Sequence, residues 1–379
     1  MRFTISRRIR RAGALAAVAM ILAAGATTVS GTPRASIGSE ALQLKASDRS
    51  MIWNAVAVDQ GRILVAGPRW TGSSGPSLGV IQAGQVQPYP DAAWNSWAPG
   101  RDVTRSFVNV NAIHRDREGT MWVVDTGSPM FGGDPLPGGA KLVRIDLNTN
   151  RVLRVYPLAN EIALPGSYVD DIRINGRHAY LTDAGKQPGL IVLDVETGIL
   201  RRVLDNHPST VAPTDRHIVL SKSIIRQADG QPLRVNADPL ELSPDGKWLY
   251  YGTLLGPWSK IETRYLDDAS LSAAELAEHV EPWADLPPVG GTAMAGDGSL
   301  YFTELLTNSV KRRLPDGKIE TLVIDPRLHW IDAPFLDDSD GLWLPVPQMD
   351  RSLVFRGADH ARSWPMQLFR LDLSKAKAR

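Results

Sequence analysis

From Asn54 onward the chain alternates short apolar runs with tight polar turns. The period of two is the one that sends successive strand side chains to opposite faces. Five segments share one pattern: a polar residue, an apolar alternation, a turn with glycine, and a second apolar strand closed by a polar residue. They start at Asn54, Asn111, Asp171, Asp238 and Thr292, with turn glycines at Gly61, Gly119, Gly176, Gly246 and Gly298. A sixth runs from Asp332 and carries one extra residue before Gly341. Asp-Gly and related dipeptides supply the positive φ that tight hairpins need. Further hairpins follow most units, as in Lys141–Val155, Leu190–Leu204 and Ser309–Val323. Four antiparallel strands recurring about every 40–60 residues describe propeller blades. The expected fold is therefore all-β, a six-bladed β-propeller over residues 41–379, with the segment near Ala41–Leu44 latching onto the last blade. One short helical insertion is predicted at about Ser270–Val280. There Ser272 and Glu275 form a capping box, and Leu271, Leu276 and Val280 one apolar stripe. Two stacked β domains are the rival architecture.

The N-terminus departs from this pattern. Arg7, Arg8, Arg10 and Arg11 precede the apolar run Ala12–Ala24, and small residues follow. Residues 1–26 thus read as a signal peptide, with an uncleaved anchor as the alternative. The run falls short of the roughly 20 residues that span a bilayer. Residues 27–40 form a flexible lead-in, rich in Gly, Ser, Thr and Pro. Losing the five arginines of residues 1–26 takes the formal charge from +1 to −4. Such a chain has no cationic footprint for nucleic acid or anionic lipid, so neither is an expected partner. A monomer, secreted or periplasmic and free of the membrane once the signal is removed, is the expectation. With no cysteine in the 379 residues, thiol catalysis, disulfides and Cys-ligated metals are excluded. Eleven Trp, 33 Gly and 27 Pro fit a fold of many turns and aromatic-anchored strands.

The chemistry the motifs allow is limited. The chain holds no nucleophile elbow, metalloprotease helix, phosphate loop or dinucleotide fingerprint. The seven histidines are scattered and form no metal pair. What remains is position, because the innermost strand of each blade lines the central channel and its start opens on one mouth. The repeat places Asn54, Asn111, Asp171, Asp238, Thr292 and Asp332 there. These side chains offer oxygen ligands to Ca²⁺ or hydrogen bonds to a small polar molecule, and crowded carboxylates could supply a general base. For each residue alone, strand capping is the ordinary alternative. Trp330, beside Asp332, is the candidate pocket wall; Trp122, Trp248 and Trp343 are assigned to blade cores. Asp170 and Asp171, adjacent on a strand, are expected to face opposite ways, so that at most one meets the channel.

Met121–Gly127, Ser167–Ile174, Ala179–Gly185, Gly189–Asp194, Leu242–Tyr251 and Leu300–Glu304 together resemble the major royal jelly protein/yellow family, including its bacterial members. The resemblance runs from about Trp53 to Arg370. It implies a secreted six-bladed propeller with a small-molecule site at the channel mouth, in a family whose insect members include dopachrome-converting enzymes and plain binders of amines or lipids. Binding of a small polar or aromatic molecule, with no cofactor, is the first expectation. Tautomerisation of a catechol- or indole-derived substrate is its enzymatic extension, with Asp171 or Asp238 as base and Trp330 stacking on the substrate. A more distant similarity runs to calcium-dependent gluconolactonase-like propellers. It implies a lactone hydrolase in which Asn111, Asp171 and Asp238 hold Ca²⁺. Ala237-Asp238 departs from the metal motif of those lactonases, and Ile52-Trp53-Asn54 stands where an early Glu-Gly-Pro would fall. A scaffold that binds proteins on its outer faces is the third class.

Overall fold

All six hairpins seen in the sequence form, and each grows into a four-stranded antiparallel sheet. The structure, a computed structural model, describes residues 35–356 and 362–377. The innermost strands are Ala55–Asp59, Val110–Arg115, Val169–Asn175, Ala237–Leu242, Val289–Met294 and Phe335–Leu336, one for each of blades 1 to 6. Consecutive inner strands pack side by side around the hub, which makes the molecule a six-bladed β-propeller. The signal peptide expected at residues 1–26 lies outside the described residues.

The turns explain why the hairpins form. In blade 2, Asp116 Oδ1 accepts from the N–H groups of Glu118 and Thr120, both at 2.9 Å. Its Oδ2 takes the Trp122 indole N–H at 2.9 Å. Gly119, at φ 78°, turns the chain in a region a side chain would strain. Blade 6 repeats the device, with Asp337 holding Ser339, Gly341 and the Trp343 indole at 2.8 Å each. One carboxylate therefore fixes both a turn and the core aromatic beside it. Trp122 and Trp343 are buried as expected, whereas Trp248 is half-buried under the Lys260 ammonium.

The core lies between blades. Ala55, Leu64, Val110, Ile113, Val123 and Val143 join blades 1 and 2. Val310, Leu322, Leu342, Leu344 and Phe369 join blades 5 and 6. Each fully buried side chain of this size contributes about 1.5–3 kcal/mol.

The ring is closed by the N-terminal latch. Strand Leu42–Asp48 is the outer strand of blade 6 and pairs antiparallel with Met366–Asp372, Leu42 opposite Leu371 and Leu44 opposite Phe369. Of the lead-in expected to be flexible, residues 35–40 are docked: Ile37 is buried and donates its N–H to the Leu322 carbonyl at 2.7 Å.

The helical insertion sits on the outside of blade 4 as two short helices, Thr263–Asp267 and Ala273–Ala277, and the Ser272–Glu275 capping box is present. It packs Leu266 and Leu276 against Tyr180, Leu240 and Leu249. Two further four-residue helices occur at Leu353–Arg356 and Ser374–Lys377. No described helix is long and apolar enough to cross a membrane.

Candidate functional site

Four of the six inner strands carry a bulge near the start of the strand. The register slips between Val110 and Ala112, Val169 and Ile172, Ala237 and Leu240, and Val289 and Thr292. A bulge inserts one residue into the pleat and re-aims the side chains around it. This overturns the expectation that at most one of Asp170 and Asp171 meets the channel, because both carboxyls reach the hub, at different levels.

The loosened backbone is held by threonines. Thr182 Oγ1 accepts the Asp171 N–H at 3.3 Å and donates to the Asp238 carbonyl at 2.6 Å, tying blade 3 to blade 4. Thr303 donates to the Ile331 carbonyl at 3.0 Å and ties blade 5 to blade 6. Acids ending the second strands brace the entry to the inner ones. Asp125 accepts from the Val108 and Asn109 N–H groups, both at 2.9 Å, and Lys141 neutralises it at 2.6 Å. Asp183 accepts from the Tyr168 N–H at 2.8 Å and pairs with Arg202 at 2.7 Å.

The upper level of the hub is a cavity of about 60 Å³, lined below by Asn54, Asn111, Tyr168, Asp170, Asp238 and Asp332. Its hydrogen bonds run in one direction. The Trp70 indole can only donate, and does so to Tyr168 Oη at 2.9 Å. The Tyr168 hydroxyl must then donate onward, to Asn111 Oδ1 at 2.7 Å. That leaves the Asn111 amide N–H groups for Asp170 Oδ1. Asn54 Nδ2 also donates towards Asn111, to its carbonyl at 2.9 Å. Asn54 Oδ1, on a side chain 3% exposed, is left with no partner among the described residues.

Asp170, Asp238 and Asp332 form no ion pair among the described residues. Burial and then repulsion from neighbouring acids, chiefly Asp332 for Asp170 and Asp170 for Asp238, push both carboxyls well above the usual carboxylate range. Burial also lifts Asp332, to about 7, against the pull of the Ala333 N–H.

One level down, Arg173 bonds Asp171 and Glu241 at 2.8 Å each, and Thr292 donates to Glu241 at 2.9 Å. Burial raises the Asp171 carboxyl, partly offset by Arg173. This layer separates the cavity from a wider funnel of about 580 Å³ at the opposite mouth, where burial lowers His114 to about 3 and keeps it neutral.

The roof of the upper cavity is apolar and comes from connections outside the repeat. Trp70, Phe131 and Phe355 meet at ring separations of 5.0 to 5.7 Å, and Trp330 stacks near Phe355 at 6.5 Å. Leu233, Val235, Leu254 and Met349 complete it. Trp330 sits at φ 52°, a left-handed conformation that costs a bulky residue about 1–2 kcal/mol. A neighbouring His329–Asp350 contact at 2.7 Å helps pin it there.

The expected site residues thus divide. Asn54, Asn111, Asp238, Trp330 and Asp332 gather around one cavity, while Asp171 and Thr292 belong to the layer beneath. Asp170, Tyr168 and the roof residues other than Trp330 were not among the expected site residues. The donor set does not fit Ca²⁺ as proposed from sequence: Asp171 is committed to Arg173, Asn111 presents its amide N–H to Asp170, and no metal-competent group of three or more His, Asp or Glu exists among the described residues.

No curated protein matches the sequence. Among solved structures, a putative gluconolactonase aligns with a TM-score of 0.50 at 10% identity, covering 87% of this chain and 91% of that one. A virginiamycin B lyase from Staphylococcus aureus gives 0.49 at 13% identity, covering 88% and 99% respectively. At 10% identity the likeness to the putative gluconolactonase is one of fold. Residues 108–325 match the family model described as major royal jelly protein, so the chain belongs to the major royal jelly protein family.

Proposed function

We propose that the protein binds a small molecule with a flat apolar body and a cationic or hydrogen-donating end, such as an aromatic amine, in the upper cavity. One observation carries this reading: the cavity joins an aromatic roof to a floor of acceptors without a cation. Asn54 Oδ1 has no partner among the described residues, Asp170, Asp238 and Asp332 have no cation beside them, and Arg173 is committed below them. A ring against Trp330 and Phe355 with an ammonium among the carboxyls would satisfy both halves. The cavity is far below the roughly 300–1,000 Å³ of ordinary ligand pockets. A ligand therefore enters by displacing roof side chains, among them Met349 and Phe355 on short helical turns.

Isomerisation of a bound catechol- or indole-derived compound, as in dopachrome conversion, extends the same reading. Export, a monomeric state and independence from nucleic acid and membrane belong to it as well, supported by the N-terminal sequence and the charge of the chain. The calcium-dependent lactonase reading is disfavoured by the commitment of Asp171 to Arg173.

Calorimetric titration with phenethylamine tests the proposal. Saturable binding is expected, weakened roughly 10- to 100-fold by Asp170→Asn through loss of a charged hydrogen bond of about 1.5–3 kcal/mol, and weakened again by Trp330→Ala. Binding unchanged in both variants would place the ligand elsewhere.

A further inference from the structure

The funnel at the opposite mouth plays no part in amine binding, yet it has the volume the upper cavity lacks. Its 580 Å³ or so falls inside the roughly 300–1,000 Å³ of ordinary ligand pockets. The walls are apolar where the inner strands end. Ile174, Leu242, Met294 and Leu336, from blades 3, 4, 5 and 6, each pack against an interblade core and stay partly open to the funnel, with Phe335 beside them. The charges that reach inward are already paired. Arg173 holds Asp171 and Glu241, and Arg115 holds Asp59 at 3.1 Å. Arg117, Asp245 and Asp338 stand exposed at the rim, where water and salt screen them. A charged guest would lose its water without gaining a free counter-ion. His114 is not satisfied in this way. It lies on the inner strand of blade 2, lines the funnel and makes no hydrogen bond among the described residues. Burial and then the charge of Arg173 keep its ring neutral, so one ring nitrogen donates and the other accepts. A hydroxyl, which both donates and accepts, matches either nitrogen; an ammonium or a carboxylate matches only one.

We propose that the funnel is a second ligand site, separate from the upper cavity, for an uncharged aromatic compound that carries a hydroxyl. The hydroxyl bonds His114. The ring lies against Met294 and Phe335, whose thioether and aromatic face suit aromatic carbon. The layer of Arg173, Asp171 and Glu241, braced by Thr292, forms the floor and closes the way to the upper cavity. The two sites therefore open on opposite faces of the ring and fill independently. Nothing in this inference depends on what the upper cavity binds.

The test titrates the full chain with 2-naphthol at pH 7, following the His114 ring signals by NMR and the affinity by calorimetry. A saturable shift of those signals is expected. His114→Leu should weaken binding about 5- to 100-fold, because it leaves the buried hydroxyl of the guest without a partner. His114→Gln, which keeps a donor and an acceptor, should bind within a few-fold of the parent. Met294→Trp fills the funnel and should abolish binding. All three variants should melt cooperatively and leave phenethylamine binding unchanged. 2-Naphthoate and 2-naphthylmethylamine, which put a charge on the same ring, should leave the His114 signals in place at concentrations where 2-naphthol saturates. His114 signals unmoved by 2-naphthol, or binding that survives Met294→Trp, would overturn the site. An equal response to either charged analogue would overturn the ligand class. Displacement of 2-naphthol by saturating phenethylamine would overturn the separation of the two sites. A shift of His114 by 2-naphthol in a protein that fails to bind phenethylamine would support this inference and overturn the amine reading alone.

Discussion

At the scale of single residues, the hub shows how burial and neighbours set the behaviour of identical side chains. Asp171 and Asp170 are adjacent, yet one is neutralised by Arg173 and the other is left among acids. Asp332 yields a direct stability prediction. Burial keeps its proton in the folded protein up to about pH 7, while the unfolded chain releases it near 3.8. Between those values the folded state binds more protons, so stability falls as pH rises through this window. Asp170, Asp171, Asp238 and Tyr168 face the same region and reinforce the cost of ionising it. Asp332→Asn should therefore stabilise the protein by about 1–3 kcal/mol at pH 8 and by little at pH 4. Equal shifts in melting temperature at the two pH values would contradict this. The choice of Asp171 over Asp170 from sequence failed for a definable reason: strict alternation carries no mark of a bulge, and the bulge decides which level each carboxyl reaches. Thr292 fell one level too low for the same reason, since Gly290 lines the cavity in blade 5. A side chain at Gly290 would meet the Ile331 carbonyl at 2.0 Å, so the gap in the ring of polar residues is imposed by close packing of blades 5 and 6.

Among the elements, the hairpins were the most legible part of the chain. Their turns combine glycine with Asp or Asn, and their strands alternate cleanly outside the bulges. The latch was legible too, because Leu42 and Leu44 offered an apolar strand with no partner nearby in sequence. The connections that build the roof were not, because Trp70, Phe131, Leu233 and Phe355 lie in segments without a shared period. Only the packed ring brings them together. The latch carries its own prediction. Leu42 is buried against the blade 5–blade 6 core and opposes Leu371 across the closing pair of strands. Leu42→Ala should cost about 2–3 kcal/mol in urea unfolding. Loss of stability well under that range would show that the ring closes without help from this strand.

For the whole molecule, a closed ring leaves only protected edges and needs no cross-link in a chain without cysteine. Closure also concentrates charge. The inner strands of blades 3 and 4 and the entry to blade 6 bring five carboxyls, Asp170, Asp171, Asp238, Glu241 and Asp332, around the single guanidinium of Arg173 in the two hub layers described. Carboxyls thus outnumber cations under an apolar roof, and the donor or acceptor character of the ligand's end group is the property the fold selects most strongly. Phenethylamine and 3-phenylpropionate share a ring and a two-carbon arm and differ at the end group. Calorimetry at pH 7.5 should show the amine binding and the carboxylate failing to bind; equal or tighter binding of the carboxylate would contradict an acceptor-lined hub as the seat of recognition.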